Sequence, residues 1–171
     1  MQLRAATVAD AGEIERVRVR GWQVGYRHVF PPDQLDAIPV DVSRWVQWFS
    51  HGSEHGQTCA LAEDAHGVLG WVTWGPSAVP DRFGEIHGLY VDPDRWGQGA
   101  GRALLARGED ELAQTWREAV LWTLADNPRT RRFYEAAGWR VDGETGTFER
   151  LGVRAPIVRY AKRLRSSESR S

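Results

Sequence analysis

The sequence predicts a single α/β domain, built on one mixed, mostly antiparallel central sheet flanked by helices on both faces. Three observations lead there. The chain has 171 residues, an ordinary size for one domain and enough to enclose a core. Short strand signals alternate along it with apolar stripes at helical spacing, and no internal repeat is visible. Near its centre a hydrophobic run, Leu89-Tyr90-Val91, is stopped by Asp92-Pro93. Three glycines at alternate positions (Gly97, Gly99, Gly101) then lead straight into a helical pattern.

Taken in order, residues 2–6 read as a first strand, with Thr7 as an N-cap and Asp10 in the first turn of the helix that follows. Ile14, Val17 and Gly21 share one face of that helix. Pro31-Pro32 breaks the chain before a second helix, on which Val42, Trp45, Val46 and Phe49 form a stripe. Residues 51–56 are a loop. Antiparallel strands are expected over 58–63 and 68–74, joined by a turn at 64–67, with another turn over 76–82. In the strand over 84–91, Leu89 and Val91 share a face while Ile86 has the opposite parity. One extra residue restores the period, which places a β-bulge near His87-Gly88. The next helix carries Leu104, Leu105, Gly108, Leu112 and Trp116 on one face. A short apolar strand over 120–124 precedes a helix that starts at Asn127-Pro128 and ends at Gly138, a left-handed cap. Closing strands are expected at 139–141, 147–150 and 156–164. The domain is expected to span 1–164, and the polar tail 165–171 to be disordered.

A glycine-rich turn that feeds a helix presents unpaired backbone N–H groups at the positive end of the helix dipole. That is a place for an anion, most often a phosphate. The turn is not a P-loop, because no Lys-Ser or Lys-Thr pair follows it. Nor is it a dinucleotide fingerprint, whose last glycine would fall on Arg102 or Leu104. The stretch 91–105 resembles the acetyl-CoA pyrophosphate loop of the GNAT family of N-acetyltransferases, Gln/Arg-x-x-Gly-x-Gly/Ala. Gly99 and Gly101 take the two small positions, Trp96 stands at the Gln/Arg position and Arg95 comes one residue early. The stretch 127–139 is similar to the family's Asn-x-x-Ala-x-x-Phe/Leu-Tyr-x-x-x-Gly-Phe/Trp segment, with Arg131 and Arg132 near its small residue. The resemblance covers residues 2–163 and is strongest over 84–139.

The resemblance implies acetyl transfer from acetyl-CoA to a primary amine by direct attack, with two central strands splayed to admit the donor. Leu89, Val91, Trp96, Gly97, Gln98, Gly99, Ala100, Gly101 and Arg102 are then expected to bind acetyl-CoA, together with Asn127 and Tyr134. A side chain at Gly99 or Gly101 would crowd the phosphates or force a strained φ. The backbone N–H near Val91 would polarise the thioester carbonyl, and the bulge would leave main-chain groups for the pantetheine amides. Tyr134 is expected to protonate the departing thiolate. Glu85 or His87 is expected to take the amine's proton, directly or through water. Plainer readings stand beside these: Glu85 as a solvated strand residue, Tyr134 as packing, Asn127 as a helix cap. Trp22, Tyr26, Trp45 and Trp48 lie on the helices that the resemblance gives to the acceptor, where rings attract cations or simply form core. A non-catalytic module that holds CoA and regulates a partner is the alternative function.

Charged residues make up 26% of the chain and the net charge is −1, so no global field points to nucleic acid or a membrane surface. The basic residues of 154–165 alternate with Ile157, Val158 and Tyr160, as on a strand with a solvated basic face. Cys59 is the only cysteine, which excludes an internal disulfide and any CxxC metal site. His28, His51, His55 and His66 lack metal-ligand spacing and read as loop or surface residues, so no metal is expected. No apolar run approaches the ~20 residues that span a bilayer. The expected setting is a reducing cytoplasm, the expected partners acetyl-CoA and an amine-bearing acceptor, with a homodimer one assembly open to the chain. Small amines and protein N-termini both remain open as acceptors.

Overall fold

The computed structural model of the protein describes residues 1–53, 56–78 and 82–164. Seven strands form one sheet: β1 (Gln2–Ala5), β2 (Thr58–Asp64), β3 (Gly67–Pro76), β4 (Gly84–Val91), β5 (Glu118–Leu124), β6 (Arg140–Arg150) and β7 (Val153–Arg163). Their spatial order is β1-β2-β3-β4-β5-β7-β6, and every neighbouring pair is antiparallel except β4–β5. Five α-helices accompany it among the described residues: α1 (Ala11–Gly25), α2 (Pro32–Asp36), α3 (Ser43–His51), α4 (Ala100–Leu112) and α5 (Pro128–Ala136).

Alternation along the strands divides the core into two layers. Val72, Trp74 and Ile86 pack with Leu104, Leu105 and Leu112 of α4 and with Tyr134 of α5. Leu61 and Trp71 face the other way, onto Ile14 and Val17 of α1 and Trp45 of α3. The helices therefore lie on both faces, as the sequence predicts. Buried polar links fix the layers in register. Glu15 binds Arg18 at 2.6 Å and accepts from Trp45 Nε1 at 3.0 Å, which ties α3 to α1. Glu109 accepts from Trp139 Nε1 at 2.7 Å and Lys162 Nζ at 2.6 Å, which ties α4 to the far strands.

Two departures from regular pairing shape the middle of the sheet. Thr73 pairs with Gly88 but Trp74 with Ile86, so His87 is the extra residue of a bulge, where the parity break put it. The parallel ladder between β4 and β5 holds only at Gly84–Ala119, Glu85–Val120 and Ile86–Leu121. Beyond it both strands continue without pairing to one another, and the expected splay opens between them.

Other expectations need correction. Pro31-Pro32 does not simply break the chain. Pro32 starts the short helix α2, since proline suits the first helical position, where no N–H is needed. The two strands expected at 139–141 and 147–150 are one strand, β6, with a register shift between Val141 and Thr145. The basic residues of β7 form a solvated face only in part: Arg154 and Arg163 are exposed, whereas Arg159 binds Asp142 at 2.8 Å and Lys162 binds Glu109. His55 and the tail 165–171 lie outside the described residues.

Candidate active site

The gap between β4 and β5 continues into a cleft of about 630 Å³ between the glycine turn and the start of α5. Its floor is the outer half of β4. Asp92 N donates to Leu69 O at 2.8 Å, so by the two-residue period of an antiparallel ladder Tyr90 also faces β3, and the main-chain groups of Leu89 and Val91 face the cleft. Val91 O confirms the direction by accepting from Trp96 Nε1 at 2.8 Å. The N–H groups of Leu89 and Val91 therefore point where β5 has turned away.

The turn is shaped by positive φ at Gly97 (80°) and Gly99 (89°), and a Cβ at either would meet open space, so conformation and not room demands glycine there. Gly99 is the N-cap of α4 in the left-handed region. It leaves the first-turn N–H groups of Ala100, Gly101 and Arg102 without intrahelical partners. Gly101 corrects the sequence expectation. It is an ordinary helical residue whose Cβ would sit 3.5 Å from Phe133 and Val91, in normal van der Waals contact, so no strained φ is imposed there. Gln98 accepts from Arg95 Nε at 3.1 Å and does not line the cleft, unlike the other expected donor-binding residues.

Cation density surrounds this opening. Arg129 lies 3.5 Å over the ring of Trp96, and Arg102 and Arg132 line the cleft with no acidic partner among the described residues. Unpaired N–H groups, a basic rim and an elongated cleft fit a phosphate-bearing ligand such as acetyl-CoA. On α5, Asn127 is 5% exposed and its Oδ1 caps the helix by accepting from Thr130 N at 3.2 Å. The cap uses the carbonyl half of the amide, so the capping reading holds, and the NH₂ half is not taken up by it. His28, read from sequence as a surface residue, also lines the cleft and bonds Asp126 O.

Tyr134 sits seven residues along the same helix. Its ring is buried against Phe133, Trp139 and Tyr160. Its hydroxyl makes no hydrogen bond among the described residues, yet no buried side-chain polar atom of theirs lacks a partner, so Oη opens onto the cleft. Burial, reinforced by Tyr90, pushes this phenol well above its usual range. It stays protonated at neutral pH and is therefore a donor. Tyr26 is pushed up likewise, by burial and by its hydrogen bond to Tyr90. Tyr90, which the sequence reading did not single out, accepts from Trp22 Nε1 at 3.0 Å and borders two clefts at once. No motif marks it; only the alternation of β4 could have pointed it away from Leu89 and Val91.

The second cleft, about 380 Å³, lies on the α1 and α3 face of the sheet and is lined by His87, Gly88 and Thr73 below and Trp22, Trp45 and Trp48 around. Glu85 lies next to it. By register it shares the face of Thr73 and Trp71, its side chain is 14% exposed, and its Oε1 is 3.6 Å from His87 Nδ1. Burial pushes the Glu85 carboxyl up to about 7, against a smaller opposing pull from Arg159. His87 Nε2 lies 3.0 Å from Pro76 O, so that nitrogen is the one that carries hydrogen and donates, leaving Nδ1 toward Glu85.

Residues 18–139 match the family model of the Acetyltransferase (GNAT) family. The chain belongs to the GNAT family. It is 31% identical to the uncharacterized N-acetyltransferase YuaI of Bacillus subtilis (strain 168) over 91% of this chain and 89% of that one. Among solved structures it superposes on the ribosomal-protein-alanine N-acetyltransferase of Brucella melitensis with a TM-score of 0.76 at 21% identity, covering 96% of this chain and 100% of that one. It superposes on YncA from Salmonella typhimurium, solved with its cofactor acetyl-CoA, with a TM-score of 0.73 at 19% identity, covering 99% and 97%. These two likenesses concern the fold. As a GNAT protein the chain is an acetyl-CoA-dependent N-acetyltransferase. Among the described residues no cluster of His, Cys, Asp and Glu could hold a metal, and no helix is long and apolar enough to cross a membrane.

Proposed function

We propose that the larger cleft holds acetyl-CoA, that the smaller one holds the acceptor amine, and that transfer takes place where they meet at the bulged strand. The observation that carries this reading is the sharing of one strand: Leu89 and Val91 present free N–H groups to one cleft while His87, Gly88 and Tyr90 border the other. Acetyl-CoA supplies an activated thioester. The first-turn N–H groups of α4 and the Arg102, Arg129 and Arg132 rim hold its phosphates. Asn127 and the main chain of β4 hold its amide arm, and a β4 N–H polarises the thioester carbonyl, which gains negative charge during attack.

Two proton tasks fall to side chains. The amine attacks only when neutral, and the Glu85–His87 pair is the base, with a carboxyl poised near neutral pH by burial. His87 is the member that borders the acceptor cleft, with both ring nitrogens engaged, so the proton reaches Glu85 through a water. Tyr134, held as a neutral phenol, donates to the departing thiolate. Cys59 is buried and pushed up to about 12 by burial, with a smaller push from Asp10, so it is neither ionised nor accessible as a relay. A reducing, cytoplasmic setting suits this lone thiol. The test is release of CoA thiol across a panel of primary amines, paired with calorimetry of acetyl-CoA binding. Micromolar binding and amine-dependent thiol release are expected; absence of binding overturns the assignment of the larger cleft.

A further inference from the structure

The rim of the acceptor cleft carries three arginines, from three elements distant in sequence: Arg18 of α1, Arg44 of α3 and Arg150 of β6. Arg18 is neutralised, since Glu15 holds it at 2.6 Å. Arg44 and Arg150 are not. Each stacks on an aromatic ring of the wall, Arg44 5.4 Å from the centroid of Trp45 and Arg150 5.9 Å from that of Trp22, and neither forms a salt bridge among the described residues, though Asp41 lies near enough to feel the charge of Arg44. No aspartate or glutamate is among the described residues that line the cleft. A cavity for an amine would ordinarily be expected to offer negative charge to a substrate that arrives as a cation. This one offers two guanidinium groups that no salt bridge holds among the described residues, and they already cover two of its indole faces.

The placement of Arg150 is built into the backbone. It closes the β6–β7 hairpin, opposite Val153, through a two-residue turn with positive φ at both Leu151 (51°) and Gly152 (71°). Such turns match the twist of the strands, but leucine enters that region only under strain, commonly about 1 kcal/mol or more. Leu151 is anchored there by packing in the cluster of Trp22, Phe30 and Leu124. The strain is thus held beside the cleft, at the residue that aims Arg150 over Trp22.

We propose that the acceptor is an amine that also bears a carboxylate, of amino-acid type, and that Arg44 and Arg150 are its specificity residues. This rests on the assignment of the smaller cleft to the acceptor. A guanidinium recognises a carboxylate through paired N–H donors, and one fixed on an aromatic face is already ordered for that contact. The same two charges turn away polyamines and lysine-rich peptides, whose remaining ammonium groups would meet like charge.

The test compares free α-amino acids of aliphatic, aromatic and polar type with their α-carboxamides, following CoA thiol release by the full-length protein with acetyl-CoA. The carboxamide's ammonium is the more acidic, so at a given pH more of it is the reactive neutral amine. A preference for the acid runs against that trend and reports recognition. The expected result is a kcat/KM for the best acid at least about 10-fold above its amide, as for loss of a charge-assisted hydrogen bond. In Arg44→Ala/Arg150→Ala the ratio collapses to within a few-fold, the acetyl-CoA Kd is unchanged, and Arg150→Lys retains an intermediate ratio. Both arginines are exposed, and unaltered circular dichroism confirms the fold of the variants. Amides that serve as well as acids, or a preference that survives the double variant, overturn the proposal while leaving the acetyltransferase assignment intact. Thiol release with polyamines but with no amino acid overturns it as well. Loss of acetyl-CoA binding itself points instead to failure of the underlying site assignment.

Discussion

Replacing Glu85 by glutamine tests the proposed base through two readouts that share one cause. In the folded protein burial raises this carboxyl from the usual 4.5 to about 7. Between those two values the folded state keeps a proton that the unfolded chain has released. The stability this group contributes is therefore full below pH 4.5 and is lost as pH rises through 7. A tenfold change in proton affinity is worth about 1.4 kcal/mol, so the raised pKa corresponds to roughly 3 kcal/mol. The side chain keeps 14% exposure, and screening by solvent lowers this to about 1–2 kcal/mol. Glutamine has a similar shape and no charge to bury. Relative to wild type, Glu85→Gln should become more stable by that amount between pH 4.5 and pH 8, which is about 2 to 8 °C in Tm for a chain of this size. The same substitution should remove the rise of kcat/KM with pH through about 7 and cost about 10²- to 10⁴-fold in rate above it. Differential scanning calorimetry and pH–rate profiles measure the two. A Tm difference that stays constant across the range refutes the buried-ion argument. An unaltered pH–rate profile moves the proton to His87 alone or to the amine's own ionisation.

Tyr134→Phe keeps the ring in its cluster and deletes only the hydroxyl. It should lower kcat about 10²- to 10⁴-fold under single-turnover conditions while the acetyl-CoA Kd holds, and turnover within a few-fold of wild type would make Tyr134 a packing residue. Gly99→Ala forces alanine to a φ of 89° at the head of α4, and should weaken acetyl-CoA binding at least about 10-fold by calorimetry, whereas Gly101→Ala, with its Cβ at ordinary contact distance, should bind within a few-fold of wild type. Gly70→Ala would bring a Cβ to 2.5 Å from Tyr90 O and 3.0 Å from Val91 Cα, pushing β3 off β4; urea denaturation should show a loss of about 1–3 kcal/mol, and an unchanged midpoint would mean the strands yield freely.

What the sequence revealed depended on how local the cause was. The bulge at His87 was legible because a two-residue period is rigid, and one displaced apolar residue, Ile86, betrays it. The turn at Gly97 and Gly99 was legible because positive φ selects glycine. The strained φ expected at Gly101 is absent because that residue already lies in regular helix, and the letter alone does not tell a glycine in the turn from one just inside the helix. The helix at Pro32 was missed because a proline that ends one element can begin another. β6 was divided in two because its pairing shifts register between Val141 and Thr145, and a two-residue period does not carry across such a shift. Least legible was the cleft proposed for the acceptor. Arg18, Arg44 and Arg150 carry no common motif and meet only through the pairing of the sheet, a long-range contact that no local pattern encodes. Tyr90 became visible as a shared wall only once the direction of every side chain on β4 was fixed.

In the proposed arrangement, the brevity of the β4–β5 ladder divides the labour of recognition between two kinds of atom. On the side where the ladder stops, the partner is met chiefly by main-chain N–H groups of Leu89, Val91 and the start of α4, which every substitution but a change of backbone shape leaves in place. On the other side it is met by side chains on separate elements, each replaceable by itself. A mutation at Arg44, Trp48 or Arg150 can therefore alter which amine is admitted without touching how the donor is gripped. A donor site written in backbone and an acceptor site written in side chains let one scaffold keep its chemistry while its choice of substrate drifts.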